Sequence, residues 1–480
     1  MLIKHFAEAD VKRMKKLTIV KFGGSLLDLN NVNIPLIVQR IEELRCQDNV
    51  GPIAVFSAPR RYTDMLIEIG ESRAQSKDIN VKPLFEPYKA LAKRYVNAEY
   101  QQELLDELDI YFQEVEGTLV KLNKRFEGNN KARVLTSGGE LPTAALMDYV
   151  LRSRGIDSCH ISKEKWPIIT DDNYENATPI YEASKKRVSY LIDLLEEGKV
   201  ISQAGFLGMT SDGLETLLGR GGSDQVAVFT SCLLKDKYEV DTLLLKETPI
   251  QSADPAIVTN QKLHSIRYMT YNEAIKATVT GMKIVQSAAV RLAREFKLPL
   301  KVAPIENMEM STIIQAKDPT SEIVKCITGT KGCAILTISN DRSKSLEDCL
   351  RLWESYEDFL DLGTEVLETG KVVRDFLLLD ANFVKKHEER LRSFDEQLEI
   401  EYGVGVVTLI GDRMRDSPGI ASIAISAIPN INIKRAVFAP HTSQIILVLD
   451  ERDVETAVRS IHAKRSKMNR RTPDRLRSVK

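Results

Sequence analysis

None of the six cysteines (Cys46, Cys159, Cys232, Cys326, Cys333, Cys349) forms a CxxC pair with another, and most lie inside apolar stretches. A disulfide-built secreted fold is therefore not expected; reduced core thiols are. The six histidines are as scattered, with no HxxxH or HExxH among them, which argues against a zinc or haem site. No apolar run approaches the ~20 residues that a membrane-spanning helix requires. The first residues, MLIKHFAEADVKRMKK, carry charges where a signal peptide needs an apolar core, so a cytoplasmic protein is expected. Neither sign of charge dominates, with 67 Lys plus Arg against 68 Asp plus Glu, and neither a nucleic acid nor a membrane surface is expected as a partner.

What is present is a soluble-type composition, 28% charged and 43% hydrophobic, on a chain of 480 residues. That length exceeds what one core can organise, and two to four domains are expected. The most informative string is LGRGGSD at 218–224, which gathers a guanidinium, three glycines, a hydroxyl and a carboxylate. Glycines allow φ > 0 and let backbone N–H groups approach a phosphate, and Arg220 offers a planar fork for a carboxylate or phosphate. The apolar run that follows reads as a helix whose N-terminus favours an anion. Taken alone, the string reads equally well as a glycine turn with a surface arginine. A second glycine loop, KFGGS at 21–25, breaks the tie.

In order along the chain, 17–22 is a β-branched apolar run that ends in the first glycine loop, and 33–44 has helical apolar spacing. Residues 52–57 form a second buried strand leading into Ala58, Pro59, Arg60, Arg61 and Tyr62, after which Thr63 is expected to cap a helix starting at Asp64. This alternation predicts a parallel α/β sheet with ligands at the carboxyl ends of its strands. Residues 72–126 read as a helical insertion without chemistry. At 133–143, RVLTSGGELPT repeats the strand, glycine loop, helix pattern, with Glu140 where the helix begins. The plainer role for Glu140 is to complement the helix dipole. Strands are expected at 156–161, 200–206 and 242–246, a turn-rich stretch at 249–255, an amphipathic helix at 282–296, and a closing strand at 298–302.

Beyond 324 the texture changes to short elements. Residues 405–462 read as βαββα, with Ser417 as N-cap and Pro418 at the first helical position. An earlier copy is suggested by strands at 332–339 and 372–380. The stretch 464–480 carries eight Lys or Arg and one Asp and reads as a frayed basic end. The division expected is an N-terminal extension at 1–16, an α/β domain at 17–305, two small α+β modules at 324–402 and 403–466, and a basic tail at 467–480.

Together KFGGS, SAPRRYTDML (57–66), SGGELPTA (137–144) and LGRGGSD resemble the ordered motifs of the aspartate kinases in the amino-acid-kinase family. The βαββα block resembles an ACT domain. The resemblance implies a parallel-sheet kinase domain followed by tandem ACT-like modules, an amino-acid effector at those modules, and a homodimer or larger assembly. It implies transfer of the ATP γ-phosphoryl group to the side-chain carboxylate of L-aspartate, with Mg2+, in the biosynthesis of lysine, threonine and methionine. Carried over by motif, Lys21 and Asp224 are catalytic. Thr63, Glu140, Arg220 and Ser223 hold the substrate; Lys21, Gly23, Gly24, Ser25, Asp254 and Lys283 hold the nucleotide. No residue is assigned as a metal ligand. A carboxylate acceptor with pKa ~3.9 is already ionised at neutral pH and needs no general base, so the absence of histidine from these motifs fits phosphoryl transfer.

The chain departs from the family pattern at the nucleotide end. Leu245 and Lys246 stand where a Thr-Asp pair is usual, Gln251 and Ala256 replace an aromatic ring and an arginine, and 283–287 reads KIVQS. Arg60 stands where a glycine is usual. An active aspartate kinase with an altered nucleotide pocket, a regulatory paralogue that binds amino acids, and a kinase for another acidic amino acid are the readings left open.

Overall fold

The computed structural model describes residues 14–27, 33–48, 50–77, 79–122, 124–219, 221–282, 285–350, 359–438 and 443–470. They fall into two compact units. The first holds the described residues up to Leu218 together with Val226–Leu243, and the second holds Gly219–Gln225 and everything from Leu244 onward.

The first unit is a parallel sheet flanked by helices. Its centre is β1 (Lys16–Phe22) beside β2 (Val50–Phe56), joined by the crossover helix α1 (Ile34–Gln47). Both strands are apolar along nearly their whole length because both faces are covered, as parallel sheets require. The register pairs Phe22 with Phe56, whose rings stack at 5.3 Å. Helix α2 (Tyr62–Ala74) follows β2, and α3 (Glu86–Tyr95) and α4 (Ala98–Val120) make up most of the insertion expected at 72–126.

The pattern expected at 133–143 is corrected here. Residues 133–135 are not a strand but the end of α5 (Gly128–Leu135), which runs through a widened π turn (Thr136–Glu140) into α6 (Leu141–Arg152). A short segment with two adjacent apolar residues, Val134 and Leu135, is compatible with either state, and both are buried within the helix. His160, in β3 (Ser158–His160), joins this helical layer to the sheet. Burial opposes its charge, yet hydrogen bonds to Asp148 and Glu107 at 2.8 and 2.6 Å hold its pKa up at about 9.

The unit continues through α7 (Tyr181–Lys185), α8 (Ser189–Glu196), β4 (Val200–Ala204), the hairpin β5 (Leu207–Met209) and β6 (Glu215–Leu217), α9 (Gly222–Leu234) and β7 (Glu239–Lys246). Its strands run in the order β3-β4-β2-β1-β7.

In the second unit the last residues of β7 lead to β8 (Tyr268–Thr270), α10 (Tyr271–Val279), α11 (Ser287–Glu295), β9 (Leu300–Pro304) and β10 (Thr312–Gln315), with strand order β9-β10-β8. A full capping box starts α10: the Thr270 side chain accepts from Glu273 N, and the Glu273 side chain accepts from Thr270 N.

The remainder builds one antiparallel sheet in the order β12-β13-β11-β14-β16-β15. Its elements are β11 (Cys326–Ser339), α12 (Asn340–Leu350), β12 (Phe359–Val366), β13 (Val372–Leu378), α13 (Ala381–Lys386), α14 (Glu388–Arg392) and β14 (Glu399–Ile410). They are followed by α15 (Ile420–Ser426), β15 (Ile433–Val437), β16 (Gln444–Asp450), α16 (Val454–His462) and α17 (Arg465–Asn469).

The two long strands serve two helix-covered cores. Ile327 of β11, with Val407 and Leu409 of β14, packs under α15 and α16. Ala334, Leu336 and Ile338 further along β11 pack under α12 and α13, with Ile400 of β14 against them.

A second correction concerns Ser417. Helix α15 starts after Gly419, which takes φ 83°, while the Ser417 hydroxyl donates to the Arg413 carbonyl four residues back and is not a cap.

Gly411, at the end of β14, shows how tightly this unit closes. A Cβ there would lie 1.9 Å from the backbone oxygen of Ile323. Because a backbone atom cannot rotate away, Gly411→Ala is expected to destabilise this unit by roughly 1–3 kcal/mol, read as a lower midpoint in urea unfolding. An unchanged midpoint contradicts that packing.

Candidate functional site

Three loops of the first unit converge on Ala58. The loop after β1 makes a 3-10 turn at Gly24–Leu26, held by Leu26 N donating to Gly23 O at 2.9 Å. Gly24 is required by proximity: a Cβ there would stand 2.4 Å from the Ala58 carbonyl oxygen. From the other side, a Cβ on Gly139 in the π turn would stand 2.8 Å from the Ala58 Cβ. Lys21 is buried near the end of β1, Gly23 and Ser25 belong to the first loop, Thr63 to the helix behind the second, and Glu140 to the third.

Thr63 is not the cap expected. Arg61 takes the left-handed φ of 68° and the helix begins at Tyr62, whose buried hydroxyl donates to Leu84 O at 3.1 Å. The half-buried Thr63 sits within the first turn.

Glu140 is the chemically unusual group. Burial pushes its carboxyl up to about 8, against the opposing pull of the Ala58 and Glu140 backbone N–H groups and the Lys21 ammonium. Its Oε2 has no hydrogen-bond partner among the described residues. The plainer helix-dipole role does not match this placement. The helix is continuous through the π turn, and the side chain is only 3% exposed.

The π turn itself is held from behind. The Tyr88 hydroxyl donates to Gly139 O at 3.0 Å, and the Ser137 hydroxyl donates to Glu114 Oε2 at 2.8 Å. Lys163 donates to Glu114 at 2.5 Å, Ser137 at 3.0 Å and Glu215 at 2.9 Å. Sequence reading passed over Glu114, Lys163 and Glu215, because they come from three separate segments and form no local string.

In the second unit, Gly219 and Gly221 both take φ 68° and wind the loop into α9 at Gly222. Ser223 and Asp224 are buried in that first turn. The Asp224 Oδ2 atom accepts from the Gln286 backbone N–H at 3.2 Å and lies 3.4 Å from the Lys246 ammonium at the carboxyl end of β7. A Cβ on Gly221 would meet the Gln286 side chain at 2.9 Å, so Gln286, one of the departing residues, packs directly on the glycine loop.

Asp254 lies in a turn where its Oδ1 accepts from Ala256 N at 2.8 Å. Ser252 and Ala253 before it are wholly buried. Arg220 and Lys283 lie outside the described residues. No group of three or more His, Cys, Asp or Glu able to hold a metal occurs among the described residues, and no described helix is long and apolar enough to cross a membrane.

Comparison with known proteins agrees with this layout. An ACT-domain family model matches residues 407–464. The chain is 27% identical to the aspartokinase of Helicobacter pylori strain 26695 over 360 residues, covering 72% of this chain and 87% of that protein. It is 27% identical to aspartokinase 2 of Bacillus subtilis over 360 residues, covering 72% and 85%. Among solved structures, that of E. coli aspartokinase III in complex with aspartate and ADP aligns with a TM-score of 0.74 at 19% identity, covering 93% of this chain and 99% of that one. At that identity the likeness speaks for the fold. The model described as the amino acid kinase family matches residues 16–304, more than half of the chain, and takes in both glycine loops and the buried glutamate: the chain belongs to the amino acid kinase family.

Proposed function

We propose that this chain is an aspartate kinase, which transfers the γ-phosphoryl group of ATP to the side-chain carboxylate of L-aspartate and yields ADP and 4-phospho-L-aspartate. The observation that carries the reading is Glu140: a buried carboxyl raised to about 8, with one oxygen unpartnered among the described residues, beside Lys21. Such a group is matched by an ammonium that arrives with a ligand. The names of the relatives, and the aspartate and ADP in the solved E. coli protein, support the same substrates.

In this reading Glu140 takes the substrate ammonium and Arg220 its α-carboxylate, and Thr63 and Ser223 also bind the substrate. Gly23, Gly24 and Ser25 offer backbone and hydroxyl donors to the polyphosphate. The substrate carboxylate attacks Pγ as the bond from Pγ to the bridging β-oxygen breaks and ADP leaves. Lys21 offsets the charge on the transferring group. No proton moves, so catalysis reduces to alignment and charge neutralisation.

Magnesium fits this donor set. An ion that travels with a polyphosphate needs only one or two protein carboxylates, and Asp224 supplies one. When bound, it neutralises phosphate charge. Asp254 and Lys283 belong to the nucleotide end.

Residues 17–305 form the kinase domain, and 324–402 and 403–466 the tandem modules, whose cores share β11 and β14. The modules take an amino-acid effector. The regulatory-partner reading is less supported than the kinase reading, because the relatives that this chain matches over 72% of its length are named as aspartokinases.

The test is ADP release with aspartate, with glutamate and with no acceptor. Release dependent on aspartate is expected; release indifferent to the acceptor, or none, rejects the reading.

The molecule is further expected to be a homodimer or larger. Strands β12 and β15 end the antiparallel sheet, and Val366 and Phe438 are 68% and 45% exposed there. Sedimentation of a full-length monomer at micromolar concentration sinks this expectation.

A further inference from the structure

We propose that His462, in the last turn of α16, is a positioning residue for the nucleotide-side loop 251–265: the C-terminal module holds Ser252, and through it Asp254, in place. The proposal rests on the reading of that loop as part of the nucleotide site.

His462 is 5% exposed and bonded at both ring nitrogens. Its Nδ1 is 2.9 Å from Gln261 Oε1, and its Nε2 is 2.9 Å from the Ser252 hydroxyl. An amide oxygen only accepts, which puts the ring proton on Nδ1 and leaves Nε2 to accept from Ser252. Burial first, with help from Arg465 and His264, pushes the imidazole down to about 4, so the ring stays neutral with this tautomer across the physiological range.

The circuit closes on itself. Gln261 Nε2 donates to Arg459 O at 2.9 Å, and Arg459 Nη1 donates to Ile257 O at 3.3 Å. Ser252 is fixed on its other sides as well. Its hydroxyl accepts from His264 N at 3.0 Å, its N–H donates to His264 O at 2.9 Å, and its carbonyl accepts from Ile327 N of β11 at 2.9 Å.

Apolar packing points the same way. Ala253 and Val258 of the loop, with Ile257 and Leu263 against them, belong to the same core as Ala457, Val458 and Ile461 of α16. The loop lies within the segment matched by the kinase family, and His462 within the segment matched by the ACT domain. Asp254 follows Ser252 by two residues and caps its own turn, so displacement of Ser252 carries the Asp254 carboxylate with it. A histidine that merely filled the core would influence stability alone. One that sets the loop influences nucleotide affinity specifically.

The experiment uses the full-length protein and its His462→Ala and His462→Gln variants. ADP affinity is measured by calorimetry, and the KM values for ATP and for aspartate are measured separately. His462→Ala is expected to weaken ADP and raise the ATP KM about tenfold, with the aspartate KM within about twofold of wild type. In His462→Gln the amide oxygen can accept from Ser252, and most of the ADP affinity returns. Unchanged ADP affinity in His462→Ala overturns the proposal, as does a proportional rise in both KM values.

If His462→Ala does not fold, Gln261→Ala at a half-buried position removes one link and is expected to weaken ADP about threefold. Wild-type ADP affinity in that variant overturns the proposal equally. A wild-type chain that binds ADP without aspartate-dependent turnover rejects the aspartate kinase reading, and the ADP comparison still decides the role of His462.

Discussion

Glu140→Gln is expected to make the protein more stable and a poorer binder of aspartate at once. The folded carboxyl is raised to about 8 from an ordinary value of 4.5, chiefly by burial. Between those values the folded state holds a proton that the unfolded chain has released, so stability falls as pH rises through this window and levels off above about 8. A glutamine carries no such penalty. Relative to wild type, the variant should gain little near pH 4.5 and the most, roughly 3–5 kcal/mol, near pH 8. Thermal melting of both proteins at pH 5 and pH 8 checks this, and a gap that does not widen with pH contradicts it.

The functional effect has the opposite sign. An ammonium placed against Glu140 favours the ionised form, and losing that contact costs ~1.5–3 kcal/mol, or about 10- to 100-fold in aspartate affinity, with ATP binding nearly unchanged. Because the free group is mostly protonated at pH 7, aspartate binding should release close to one proton. The observed heat would then vary with the ionisation enthalpy of the buffer. Equal loss of aspartate and ATP affinity, or heats independent of buffer, counts against Glu140 as the ammonium site. With Glu140 as the ammonium site, the proposed function would sit on a group that weakens the fold, the trade expected of a preorganised site.

Much of this was legible in the chain. β1, β2 and the end of β7 are largely apolar because both faces are covered, and each runs into a loop. The glycine strings marked the loops. What they did not mark is why the glycines are there. Gly24 is needed for the Ala58 carbonyl, 34 positions away, and Gly221 for Gln286, 65 positions away. The burial of Glu140 was equally hidden, because the helix on either side of it was read as a strand on one side and a fresh start on the other. Such errors are of one kind: short apolar segments and single polar caps have several local solutions, and long-range packing chooses among them. β11 is a further example. Sequence placed its start near Gly332, but Cys326 and Ile327 already belong to the strand, where Ile327 faces a core completed by β14 and α16.

Lys246→Met is expected to cost ATP affinity more than it costs stability. Two roles are open to this lysine, a replacement for charge lost elsewhere in the nucleotide site or a solvated residue at a strand end. Its side chain is 25% exposed and its ammonium lies 3.4 Å from an Asp224 carboxylate that is 5% exposed, which is not the setting of a solvated lysine. Removing one partner of such a pair leaves the other charge poorly compensated, so some loss of stability is expected as well. The separation comes from a double-mutant cycle. If Lys246 serves only Asp224, the Lys246→Met, Asp224→Asn pair should bind ATP no worse than Asp224→Asn alone. If Lys246 contributes its own charge to the polyphosphate, the pair should be weaker by about 10- to 100-fold, and Lys246→Arg should retain most of the affinity. The missing ring at Gln251 and the missing arginine at Ala256 set the background. Wild-type ATP binding with magnesium is expected to be measurable but weak, with Lys246 carrying a large share. Calorimetric titration decides it, and an unchanged ATP affinity in Lys246→Met returns the residue to a structural role.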